Sequence, residues 1–279
     1  KQELIDRVRG GYGEVAHSIV PNVFSTIHWA PGDDERIDFD LDEAARLLDE
    51  AGYEMGDDGV RVSPDGEPLV LSFGVDAGNA EREGAAQFIT EWFEEIGVGV
   101  QTTISEDVQD LFDDGELDIA FTGWGINPNP TYNLNRQSCG QLPGAPGDGS
   151  SDAFYCNEHY DSLVRAQESE TDPEARAELL FEAQQILYED SPLVFLWYPT
   201  VMEAYNSTKI ADFTTQPAAE GMIMGQIGSW AYHSAVPTGE TVGGVSTGVL
   251  IGVGVVVLLG AVILVVVLVR RRQTAEDRE

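Results

Sequence analysis

Residues Leu69–Ile104 read LVLSFGVDAGNAEREGAAQFITEWFEEIGVGVQTTI, and this stretch decides the fold. Leu69, Leu71, Phe73 and Val75 alternate with smaller or polar residues, the pattern of a strand with one apolar face. Ala85, Phe88, Ile89, Trp92, Phe93 and Ile96 then fall on one helical stripe, and Gly97 is a natural stop. Val98, Val100, Thr102 and Ile104 alternate again as a second strand. Strand, helix and strand in succession place the chain in the α/β class.

The flanks extend that pattern. Upstream, Asp40-Leu-Asp-Glu43 is an N-cap with Glu at the third helical position, followed by Leu41, Ala44, Ala45, Leu47, Leu48 and Ala51 at helical spacing and by Gly52. Asp57-Asp-Gly59 and Pro64-Asp-Gly66 bracket a hairpin-like arm. Downstream, Asp118–Phe121 is a short strand that runs into Gly123-Trp124-Gly125, and residues 127–149 read as a loop rich in Asn, Pro and Gly. Helices are expected over 158–169 and 173–189, the second with Pro173 at its first position, and a buried apolar strand over Leu193–Tyr198. No internal repeat is visible.

The chain has 279 residues with 49 acidic and 15 basic ones, a formal net charge of −34. Only Lys1 and Lys209 are lysines. The acids are dispersed, as in Asp33-Asp34-Glu35, Asp57-Asp58 and Asp113-Asp114, rather than gathered in a tail. A compact fold so charged repels itself in dilute buffer, and at about 1 M salt, where the Debye length is about 3 Å, that repulsion is screened. The composition therefore points to a salt-adapted organism, most simply a haloarchaeon; an acidic patch for a cationic ligand is the rival reading. A nucleic-acid surface would have to be basic and is excluded.

Val249–Val269 (VLIGVGVVVLLGAVILVVVLV) is uncharged throughout, and Arg270, Arg271 and Arg272 follow at once. A helix of that length rises about 31 Å at about 1.5 Å per residue, the thickness of a hydrocarbon core. Basic residues flanking a span stay in the cytoplasm, so the tail Gln273–Glu279 is expected inside and everything before Gly243 outside. A buried helix of a soluble domain is the alternative. Residues 237–246, rich in Gly and Thr, read as a flexible stalk. The chain begins at Lys1 without a start Met or signal peptide, so it is expected to be a piece of a longer exported protein.

Outside the cell, Cys139 and Cys156 can pair; two free thiols are the other possibility. A disulfide would close the Gly-, Pro- and Ser-rich segment between them and remove on the order of 3 kcal/mol of unfolded-state entropy. Two cysteines without a nearby His pair do not make a zinc site, and no metal or cofactor is expected. The four histidines, His17, His28, His159 and His233, are scattered, and no hydrolase, metalloprotease or phosphate-loop motif occurs. Asn206-Ser207-Thr208 is an acceptor triplet for N-glycosylation.

Four segments resemble one family. These are KQELIDRVRGGYGEVAHSIVP (1–21), DLDEAARLLDEAGY (40–53), the following Gly-Val-Arg and Asp-Gly-Glu-Pro-Leu, and GELDIAFTGW (115–124). In this order they resemble the oligopeptide/dipeptide class of ABC-transporter solute-binding proteins, extracellular family 5, over about residues 1–235. The resemblance implies a two-lobed clamp of which this chain is the C-terminal half. Residues 1–200 would be most of the distal lobe, 201–236 a return to the proximal lobe, 237–246 the stalk, 247–269 the membrane helix and 270–279 the cytoplasmic tail. It also implies a receptor that does no chemistry, capturing a solute outside the cell for ABC permease subunits served by separate cytoplasmic ATPases.

In such a clamp the loop after the Asp118 strand lines the cleft. The resemblance thereby makes Trp124 the first ligand contact, as a flat apolar wall with one N–H donor, with Asn127, Asn129 and Tyr132 beside it. Asn-Pro is also a turn former, which gives both asparagines a second explanation. Peptide binders of the family place an acid three residues after this Trp for the ligand's ammonium group, and some place an Arg three residues before it. Here Asn127 and Phe121 occupy those positions. A buried ammonium without a carboxylate is costly, so oligosaccharides, whose faces would suit Phe121, Trp124 and Tyr132, and nickel chelates stand beside peptides as solutes. A surface-anchored hydrolase is the remaining alternative.

Overall fold

A computed structural model describes residues 1–125, 129, 131–145, 149–215, 221–223 and 230–239. In chain order the helices are α1 (Gln2–Val8), α2 (Leu41–Glu50), α3 (Ala80–Glu95), α4 (Val108–Asp113), α5 (Thr131–Asn135), α6 (Glu158–Ser169), α7 (Pro173–Asp190) and α8 (Trp230–Ser234). The strands are β1 (Gly13–Val15), β2 (Glu54–Met55), β3 (Arg61–Val62), β4 (Val70–Asp76), β5 (Gly99–Ser105), β6 (Ile119–Ala120), β7 (Trp197–Pro199), β8 (Ile210–Asp212) and β9 (Val236–Pro237). The chain divides into two units, one of residues 1–203 with 215–231, the other of 204–214 with 232–279.

In the first unit, β4 is the central strand of a three-stranded parallel sheet in the order β5-β4-β6. The β4-α3-β5 unit forms because α3 covers the sheet face carrying Phe73 and Val75, both essentially fully buried, with Ala86 against them. Asn79 caps α3 by accepting from the Arg82 N–H. Gly97 ends that helix in the left-handed region at φ +82°, where a Cβ would lie 2.7 Å from the Met55 side chain. Only glycine satisfies both the turn and the close approach there. The guanidinium of the buried Arg61 donates to the Ile96 and Tyr53 carbonyls and to Asp49, joining the ends of α2 and α3.

A second core lies between α6 and α7. Tyr160, Leu163, Val164, Leu180, Ala183 and Leu187 are buried together with Val20 and Leu134. Asp172 caps α7 by accepting from Glu174 and Ala175 N–H, with Pro173 in its first turn. In the other unit, β8 and β9 pair antiparallel.

Two expectations are corrected. The loop expected over 127–149 contains α5 and a short 3-10 turn at Cys139–Gln141, elements too brief to leave a periodic signal. The strand expected over 193–198 is reduced to β7, and Val194 is 71% exposed. Helix α2 buries none of its residues fully: Leu41 and Ala44 line one groove, and Leu47 and Leu48 line a second. Among the described residues no helix is long and apolar enough to cross a membrane; the run 249–269 expected to do so, with Arg270, Arg271 and Arg272, lies outside them.

Candidate functional site

Strand β6 delivers the chain into the segment Phe121–Gly125, at the edge of a groove of about 1500 Å³ within the first unit. Phe39, Trp92, Phe112, Phe121, Trp124 and Phe154 are among its walls. Five of these six are paired: Phe39 with Trp92 at 4.6 Å between centroids, Phe121 with the buried Phe73 at 5.3 Å, and Phe112 stacked on Phe154 at 4.8 Å. Such pairing keeps large apolar faces in place beside water.

Two carboxylates build the wall. Asp118 is locked to β4, with its Oδ2 accepting from the Ser72 N–H and hydroxyl, both at 2.7 Å, while its own N–H donates to the Ser72 carbonyl at 3.0 Å. The donated hydrogen bonds from Ser72 hold its carboxyl below the usual carboxylate range. The strand ending therefore presents Phe121 and Trp124 from a fixed base.

Asp152 does the same for Trp124. Its side chain is 6% exposed and accepts from the Trp124 indole N–H at 3.0 and 3.1 Å, the Thr122 hydroxyl at 3.1 Å and the Gln137 amide at 2.7 Å. The Arg136 Nε stands 3.5 Å from Asp152 Oδ2, and its guanidinium carbon lies 3.5 Å from the Trp124 ring centroid. The indole is thus held at its N–H by an anion and over its ring by a cation. Asp152 lies between Cys139 and Cys156, which are disulfide-bonded, so a covalent loop carries it.

This geometry changes the role expected of Trp124. Its N–H is committed to Asp152, leaving 43% of the residue exposed as an aromatic surface. Phe121 lines the groove half-buried against Phe73, with Arg82 donating to its carbonyl at 3.2 Å. Tyr132 is exposed on α5 and meets Trp124 edge-on at 6.1 Å, but does not line the groove. Asn129 accepts from the Thr131 N–H at 3.2 Å and from Arg176, the turn chemistry available to Asn-Pro. Asn127 lies outside the described residues. Sequence reasoning missed Asp152, Arg136 and Gln137; the available signal was a scarce basic residue, Arg136, shortly after the aromatic pair.

One Ser–His contact occurs nearby, Ser18 Oγ to His28 Nδ1 at 3.5 Å. Ser18 is 1% exposed and donates to the Val20 carbonyl, which also meets His28 Nδ1 at 2.7 Å. Ser18 lines the groove, with its hydroxyl donated to the Val20 carbonyl, and the pair ties this loop together. Among the described residues no group of three or more His, Cys, Asp and Glu could hold a metal ion.

The last strand of the parallel sheet thus feeds an aromatic groove wall, and superposition on solved structures shows the fold to be that of the periplasmic-binding-protein class. Among solved structures, NikZ from Campylobacter jejuni, crystallised with Ni(L-His), superposes with a TM-score of 0.62 at 21% identity, over 71% of this chain and 39% of that one. The profile of the bacterial extracellular solute-binding proteins, family 5 (middle part), matches residues 1–143, and the chain belongs to this family. It is 27% identical over 208 residues to the oligopeptide-binding protein AppA of Bacillus subtilis, covering 71% of this chain and 36% of that protein. It is also 27% identical over 233 residues to the di/tripeptide-binding protein 3 of Pseudomonas aeruginosa, covering 81% of this chain and 40% of that protein. The chain thus spans about two fifths of the length of these relatives.

Proposed function

We propose that this chain is the ligand-gripping part of an extracellular solute-binding subunit of an ABC importer, taking peptides or a related small solute. The observation that carries the proposal is the braced aromatic wall of Phe121 and Trp124 on a family 5 fold. Relatives whose names state peptide binding support the solute class. The chain does no chemistry in this reading; permease and ATPase subunits move the solute. Residues 1–200 are read as most of the distal lobe and residues 201–236 as a return to the proximal lobe, the chain being the C-terminal portion of the full clamp.

The run 249–269 holds the domain outside the cell, with Arg270, Arg271 and Arg272 on the cytoplasmic side. Tethering raises the concentration of receptor at the permease, so weak docking suffices. The dispersed acidic surface belongs to a haloarchaeal, high-salt setting. Oligosaccharides are the second reading, favoured by the committed indole N–H, which leaves Trp124 to act through its ring.

A thermal-shift screen of the complete ectodomain in high salt tests this, because a ligand that binds only the folded state stabilises it. Di- to octapeptides, oligosaccharides and chelated nickel form the panel. Stabilisation by peptides supports the first reading, and stabilisation by sugars or chelates alone moves the solute class. No response from any of them overturns the receptor assignment.

A further inference from the structure

We infer that Asn206 is an N-glycosylation site and that Tyr205 forms the floor on which its first sugar rests. The chain has eight asparagines, and two of them stand two residues before a Ser or Thr. In Asn129-Pro130-Thr131 the intervening proline blocks transfer, which leaves Asn206-Ser207-Thr208 as the one competent triplet.

The structure presents that triplet at the surface, with its side chains joined. Asn206, Ser207 and Thr208 are all exposed. The Asn206 carbonyl oxygen Oδ1 accepts from the Thr208 hydroxyl at 2.7 Å and from the Thr208 N–H at 3.0 Å. Two donors on Oδ1 leave Nδ2 pointing the other way and polarise the amide. The backbone carbonyl of Asn206 accepts from Lys209 and Ile210, so the turn is anchored at the start of β8. A second observation stands beside it. Tyr205 is 47% exposed and meets Phe213 edge-on at 4.9 Å. A surface aromatic held in place next to the acceptor gives the apolar face of a sugar ring something to cover.

In the transfer, Nδ2 attacks the anomeric carbon of an oligosaccharide carried on a polyprenyl-type lipid phosphate. The N–C bond forms, the C–O bond to phosphate breaks, the lipid phosphate departs with the electron pair, and the amide loses one proton to the transferase. The inference rests on the extracellular placement proposed above, since that lipid-linked donor is used outside the cytoplasm.

The test is glycopeptide mass spectrometry of the full chain from cells that export it and carry a lipid-linked oligosaccharide transferase. Protease shaving of intact cells is run in parallel. The expected result is an oligosaccharide mass on the peptide containing Asn206, retained in Thr208→Ser and absent in Thr208→Ala and Asn206→Gln. Asn206→Gln is expected to melt lower than wild type, with Tyr205→Ala removing that difference while leaving the glycan attached. Shaved, surface-exposed protein with an unmodified Asn206 overturns the inference alone. Protein protected inside the cell overturns the placement and the inference together. A glycan whose stabilising effect is indifferent to Tyr205→Ala overturns the role given to the aromatic.

Discussion

At the scale of single residues, Asp152 and Trp124 show how one carboxylate organises a surface. Truncating Asp152 to Ala strands the Trp124 N–H, the Gln137 amide and the Arg136 guanidinium at a site that is 6% exposed. Breaking a buried pair from one side costs about 3 kcal/mol or more, and urea unfolding followed by circular dichroism measures it. Asp152→Asn keeps an acceptor for the indole and is expected to lose less; equal stability of wild type and Asp152→Ala would sink the clamp. Asp118 carries a pH prediction. Hydrogen bonds from Ser72 depress its carboxyl in the fold, so its contribution to stability is fully present above the ordinary carboxylate value and is lost as pH falls through the depressed one. Asp118→Asn is therefore expected to flatten the acid limb of the stability curve, which thermal melts between pH 6 and pH 2 would reveal. Neither partner was legible from spacing: Asp152 lies 28 residues beyond Trp124, and Asp118 lies 46 beyond Ser72.

At the scale of elements, reading by periodicity succeeded where the burial of one face governs a long segment. The helices expected over 158–169 and from Pro173 are present, because α6 and α7 bury their apolar faces on each other. Short elements escaped it. Five residues of α5 complete little more than one turn, and Thr131, Asn133 and Leu134 are buried there by tertiary packing rather than by an apolar stripe of their own. The Leu193–Tyr198 run is apolar yet only its end pairs, through Trp197 with Val15, because the partner strand β1 has three residues. The Cys139–Cys156 disulfide closes a segment whose own side chains supply little core. Reducing it is expected to cost about 3 kcal/mol through unfolded-state entropy and to lower ligand affinity by loosening Asp152. Denaturation with and without reductant checks the first, and isothermal titration with a solute identified in the screen checks the second. Unchanged affinity in the reduced, folded protein would show that the loop does not position Trp124.

At the scale of the whole molecule, charge is the governing quantity. With a net −34, the folded chain is expected to melt at progressively higher temperature as potassium chloride rises from about 0.1 M, where the Debye length is about 10 Å, to beyond about 1 M, where it is about 3 Å. A melting temperature indifferent to salt would remove the physical ground for a high-salt habitat. The amino-acid sequence by itself determined the α/β class, the long helices and their caps, and the acidic surface, because each follows from composition or from a local repeat that burial of one face imposes. Tertiary structure alone decided that Trp124 spends its N–H on Asp152, that Arg136 stacks over its ring, and that α2 lines two grooves. Those are contacts between residues far apart in the chain, and no local periodicity encodes a hydrogen bond that exists only once the chain has folded.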